Sequence, residues 1–129
     1  MACVSTLSRV VAAFIVVSLP VWRSAAFADA APDVNSVCGS PPHGNIALDG
    51  SKATKKQMEN AKLDVIAFMA DSDIYQDCIN KYLARYQSIL TPQDKSRLAG
   101  LQQFNQKEKE KIGNGYNAAA DAFNKTHGH

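Results

Sequence analysis

The stretch MENAKLDVIAFMADSDIYQDCINKYLARYQSI, residues 58–89, decides the fold. Its core-type positions fall at Met58, Ala61, Val65, Phe68, Ser72, Tyr75, Ile79, Tyr82, Tyr86 and Ile89. Steps of three and four residues alternate without a break, which holds one face of an α-helix against a partner along its length. The opposite face carries Lys56, Glu59, Lys62, Asp73, Asp77, Lys81 and Arg85, with Asp77 and Lys81 spaced to pair across one turn. No Gly or Pro interrupts the run, and Thr54 with Gln57 forms a capping box at its start. A first helix is therefore expected over about residues 55–88.

A second start follows at once. Leu90-Thr91-Pro92-Gln93-Asp94 places Thr91 as N-cap, Pro92 at the first helical position and an acid in the first turn. So short a connection favours an antiparallel hairpin. Leu98, Leu101, Phe104 or Asn105, Ile112, Tyr116, Ala119 and Phe123 give the second helix its apolar positions, over about residues 92–125. Gln106 to Lys111 (QKEKEK) is nearly all charge and is expected in solvent. Gly113 and Gly115 each cost a helix up to about 1 kcal/mol. A kink or break at 113–115 is one outcome and a continuous helix the other. Residues 126–129, Thr126-His127-Gly128-His129, are expected to fray.

Upstream, Arg9 precedes the apolar run VVAAFIVVSLPV, residues 10–21, and Ala26-Phe27-Ala28 and Ala28-Asp29-Ala30 offer small-residue cleavage sites. That order reads as a signal peptide over residues 1–30, cut after Ala28 or Ala30, and as a periplasmic or secreted destination. The run is too short to span a bilayer, which takes about 18 apolar residues or more. Loss of Arg9, Arg23 and Asp29 leaves 12 Lys+Arg against 11 Asp+Glu in the mature chain. A charge near neutrality gives no basis for capturing nucleic acid or an anionic membrane.

Cys3 departs with the signal, leaving Cys38 and Cys78, which an oxidising compartment favours joining as a disulfide. Residues 31–53 are dense in turn formers, have no helical period, and include Ile46 and Leu48 in alternation; an extended arm is expected. Cys78 lies about 36 Å along the first helix from Thr54 at about 1.5 Å per residue. The 16 residues from Cys38 to Thr54 reach about 50 Å when extended. The arm can thus fold back antiparallel and be pinned near the helix midpoint. Closing the loop within one chain is worth about 3–4 kcal/mol. Two questions stay open: whether the bridge is intramolecular, and whether the arm or a second copy completes the thin core.

Little in the chain points to chemistry. Tyr75, Tyr82 and Tyr86, with Phe68 and Ser72, either line a ligand groove or form the core with hydroxyls reaching water. His127 and His129, with His43 as a third ligand, form a weak site for copper, nickel or zinc, or else a polar tail and a turn residue. Asp64, Asp71, Asp73 and Asp77 read as solvated acids, the alternative being that Asp73 and Asp77, one turn apart, repel each other or hold a cation. No His–Ser or His–Cys pattern, Gly-rich phosphate loop or H-E-x-x-H occurs, so neither catalysis nor a cofactor is expected.

Two resemblances bear on this reading. Cys38-Gly39-x-Pro41-Pro42, then Ala53-Thr54-x-x-Gln57-Met58-x-x-Ala61 and Ser72-Asp73-x-Tyr75-x-x-Cys78, resembles a group of small exported bacterial proteins of unknown function. The resemblance covers about residues 38–86 and implies secretion and a Cys38–Cys78 bridge, with no activity attached. Leu90-Thr91-Pro92-Gln93 looks like the Leu-Thr-x-x-Gln motif of small helical periplasmic stress chaperones, with Asp94 where their glutamine belongs. The expectation is an exported all-α hairpin with a stapled arm, acting by binding a protein partner or itself. A chaperone-like role and weak metal binding are the alternatives.

Overall fold

In the computed structural model, which describes residues 30–128, the Thr54 capping box is fully formed. Gln57 N–H donates to Thr54 Oγ1 at 3.3 Å, and Thr54 N–H donates to Gln57 Oε1 at 2.8 Å. From there one helix runs from Lys55 to Tyr86. A second, Pro92–His127, starts with the same device: Asp94 N–H donates to Thr91 Oγ1 at 3.1 Å and Thr91 N–H to Asp94 Oδ2 at 3.0 Å. With a short helix at Val34–Cys38, the elements are α1 (Val34–Cys38), α2 (Lys55–Tyr86) and α3 (Pro92–His127). The structure is an all-α antiparallel hairpin, α2 against α3, with the N-terminal arm bonded to α2 through Cys38–Cys78. No described helix is long and apolar enough to cross a membrane. The signal-peptide expectation rests on residues that, Ala30 apart, lie outside those described.

α2 ends two residues before its expected limit. Ile89 N–H and Leu90 N–H both donate to the Tyr86 carbonyl at 3.0 Å, closing a tight turn. That turn swings Leu90 into the core, at 9% exposure, and leaves Ile89, the last seam position, at 47%. α3 runs on through Gly113 and Gly115 without a break and takes in Thr126 and His127, which were expected to fray. Both glycines face neighbours: a Cβ on Gly113 would lie 3.6 Å from Met69 and one on Gly115 3.6 Å from Ile46. Packing against α2 and the arm offsets the weak helix propensity there.

The core has two apolar clusters separated by a polar layer. At the turn end, Val34, Tyr75, Ile79, Tyr82, Leu90 and Leu98 pack together; at the open end, Ala53, Met58 and Ala119 do so with Leu48, Tyr116 and Phe123 against them. Between the clusters Ser72 and Asn105 are both wholly buried, and Asn105 Nδ2 donates to the Ser72 carbonyl at 3.0 Å. Asn105, not Phe104, is the inward residue. The charged segment after it is not fully solvated as expected. Glu108 and Lys109 are half-buried, and Lys109 Nζ reaches Asp73 Oδ1 across the hairpin at 2.5 Å.

The arm supplies the third layer, and it is not extended throughout. Asp33 Oδ1 accepts the Asn35 N–H at 2.8 Å and starts α1, whose Val34 is buried against the turn-end cluster. Local capping and one buried anchor are enough for a single turn of helix. Beyond Gly39, which turns the chain at φ 74°, the arm lies over the groove between α2 and α3. A Cβ on Gly44 would sit 2.9 Å from Ile112 Cδ1 and 3.0 Å from Phe68 Cδ2. One on Gly50 would overlap the Ala119 carbonyl oxygen at 1.8 Å. Close backbone approach at Gly50 is why a residue without a side chain is needed there.

Candidate functional site

The staple joins Cys38 at the end of α1 to Cys78 in α2, with Cα atoms 5.7 Å apart and a separation of 40 positions in the chain. It is intramolecular. A second tie holds the arm's beginning: Tyr82 donates its hydroxyl to the Pro32 carbonyl at 2.5 Å. Burial, and then the charge of Asp94, push the Tyr82 phenol above its ordinary value.

Most of the other candidate residues on the seam point inward. Phe68, Ser72, Tyr75 and Tyr82 are buried in the contact between helices and arm, and of these Phe68 and Tyr82 each line a cavity. The Tyr75 hydroxyl, Ser72 Oγ and Asn105 Oδ1 are buried without a hydrogen-bond partner. Burial raises the Tyr75 phenol, against a smaller opposing effect of Arg97. Tyr86 alone reaches the edge: it is half-buried, its ring 4.8 Å from that of Tyr82 and the Arg85 guanidinium 5.6 Å from its centre.

The two described histidines do not converge. His127 stacks on Phe123 with ring centres 4.5 Å apart, its Nδ1 3.1 Å from the Phe123 carbonyl. His43 meets Phe104 edge-on at 5.5 Å. Phe104 and Phe123 lie about 28 Å apart along α3 at about 1.5 Å per residue, so these two histidines cannot share an ion. His129 lies outside the described residues. Among the described residues no three His, Cys, Asp or Glu side chains form a group that could hold a metal.

What the structure does present lies on the other side of α2. Leu63, Ile66 and Ile74 are 63%, 55% and 68% exposed. With Ala67 and Ala70 they form one stripe, turned away from α3. Their spacing of three or four residues was available in the sequence, but the longer seam on the opposite face masked it. Beside the stripe a cleft of about 470 Å³ opens between arm and α2, over Ile46, Phe68 and Ile112. It continues toward the open end as a shallower cleft of about 240 Å³, with Asp64 on the rim of both. A third cavity, about 410 Å³, lies at the turn end beside Tyr82 and Asp94, where Arg97 reaches Asp33 at 3.7 Å.

The four α2 aspartates fall into two pairs. Asp73 and Asp77 have lysine partners, Lys109 and Lys81, each at 2.5 Å. Asp64 and Asp71, one on each side of Ala67 and Phe68, have no ion-pair partner among the described residues. Both line the larger cleft. No family model, curated protein or solved structure matches this chain.

Proposed function

We propose that the protein is an exported, non-catalytic binding module of the cell envelope. The exposed stripe of Leu63, Ile66 and Ile74 supports this reading most directly. These side chains stand on a helix whose other face already buries a continuous seam, so the hairpin does not need them for its own core. Contiguous apolar surface rimmed by charge marks an interaction site more often than a random surface does. The intramolecular bridge fits an oxidising compartment. A one-helix stripe favours a specific partner over chaperone-like holding of unfolded clients, which calls for a broad concave surface.

A photo-crosslinking residue at position 66, compared with one at Lys95 on exposed α3, tests the reading in the producing cell. Position 66 should give one discrete adduct and position 95 none. Adducts from neither position, or equal smears from both, would contradict a specific interaction face.

A further inference from the structure

We propose that the cleft between arm and α2 binds an extended, cationic segment of a partner polypeptide, which adds as a strand along the arm. This rests on reading the protein as a binding module, and it assigns that role a place and a ligand chemistry.

The arm follows a largely extended course where it borders the cleft, its residues alternating exposed and half-buried from His43 to Asp49. Cys38 is fixed at the level of Cys78, and Gly50 packs on Ala119, which shares a cluster with Met58. The 12 residue steps from Cys38 to Gly50 therefore cover about 30 Å of helix, against a maximum of about 40 Å. No backbone hydrogen bond joins Ser40–Leu48 to any other described backbone group. A stretched chain with free N–H and C=O groups is a template for another strand. Pro41 and Pro42 have no N–H to donate, which confines pairing to His43–Leu48.

Charge selects the occupant. The floor is apolar, from Ile46, Phe68 and Ile112, and the α2 rim carries the carboxylates of Asp64 and Asp71, which have no ion-pair partner among the described residues. Among the described residues no lysine or arginine lines either part of the cleft. The two acids are seven residues apart, about 10 Å along the helix. That falls between the spacings of side chains two and four residues apart on one face of a strand, about 7 and 14 Å. Lysine or arginine side chains are long and flexible enough to close the difference. A second copy's arm is a poor occupant, because Ser40–Leu48 contains no lysine or arginine.

The test uses the oxidised mature chain and three fluorescent nine-residue peptides: alternating lysine and valine, the same with glutamate for lysine, and the lysine peptide N-methylated at alternate amides. Anisotropy should show the lysine peptide binding, with at least tenfold weaker binding by the glutamate and N-methylated forms. The D64N/D71N variant, whose substitutions touch only exposed side chains, should lose tenfold or more while melting at the parent temperature. D64K/D71K should reverse the preference toward glutamate. No binding of the lysine peptide would overturn the proposal. So would equal binding by D64N/D71N, equal binding of the N-methylated peptide, or a dimer that forms through the arm without peptide. A crosslinked partner at position 66 alongside any of these would leave the binding-module reading standing and remove only this cleft from it.

Discussion

Gly50 is the residue on which docking of the arm turns. A Cβ there would collide with backbone, the Ala119 carbonyl oxygen at 1.8 Å, and backbone cannot rotate away. Gly50→Ala should therefore destabilise by about 1–3 kcal/mol or more, the range for overpacking. Gly44→Ala meets side-chain atoms, Ile112 Cδ1 and Phe68 Cδ2, near 3 Å, and should cost less. Gly100→Ala, in α3 with nothing within 4 Å, should stabilise by about 0.5–1 kcal/mol through helix propensity. Thermal unfolding of the three variants should rank them in that order, and a Gly50→Ala melt equal to the parent would mean that the arm does not pack on Ala119. Acid stability turns on another residue. Hydrogen bonds from Thr91 hold the Asp94 carboxyl below its ordinary 3.8. A depressed carboxyl stabilises the fold above its unfolded value and loses that contribution as pH falls through the folded one. Asp94→Asn should flatten the stability profile below about pH 4, read by urea unfolding across pH 2–6; an unchanged slope would remove Asp94 from the acid response.

Among the elements, the two long helices were legible because their signals are local. Thr54–Gln57 and Thr91–Asp94 mark the starts, and an unbroken three–four spacing marks the buried face of α2. The inward residue of α3 was not legible. After Leu101, Phe104 and Asn105 each continue the spacing, and only the Ser72 carbonyl across the contact selects Asn105. Nor was α1, five residues with a single buried anchor and no room for a period. The candidate site was hidden for a different reason: the Asp77–Lys81 pair is local and legible, but Asp73 became distinct from Asp64 and Asp71 only once Lys109 was placed across the hairpin. The polar layer gives an element-scale prediction. Asn105→Leu should keep or raise the melting temperature, since it removes an Oδ1 that is buried without a hydrogen-bond partner. It should also loosen the register that the hydrogen bond selects, seen as doubled amide resonances around Asn80 and Gln102. A single set of resonances with a large loss of stability would show that the Asn105 bond stabilises without specifying register.

For the whole molecule, a two-helix hairpin buries little, and the stapled arm turns it into three layers. Replacing both Cys38 and Cys78 by serine should cost about 4 kcal/mol for a closed loop of this length and speed protease cleavage within residues 39–50. On the proposed reading the chain is exported and carries its arm bonded to its own helix. The intact mass of the protein recovered from the exporting cell, taken without reductant, tests it most directly. The account predicts one chain, beginning at Asp29 or Ala31 and lighter by two hydrogens than its reduced form. Two chains joined by a bond that reduction breaks, or an uncleaved chain with free thiols, would contradict it.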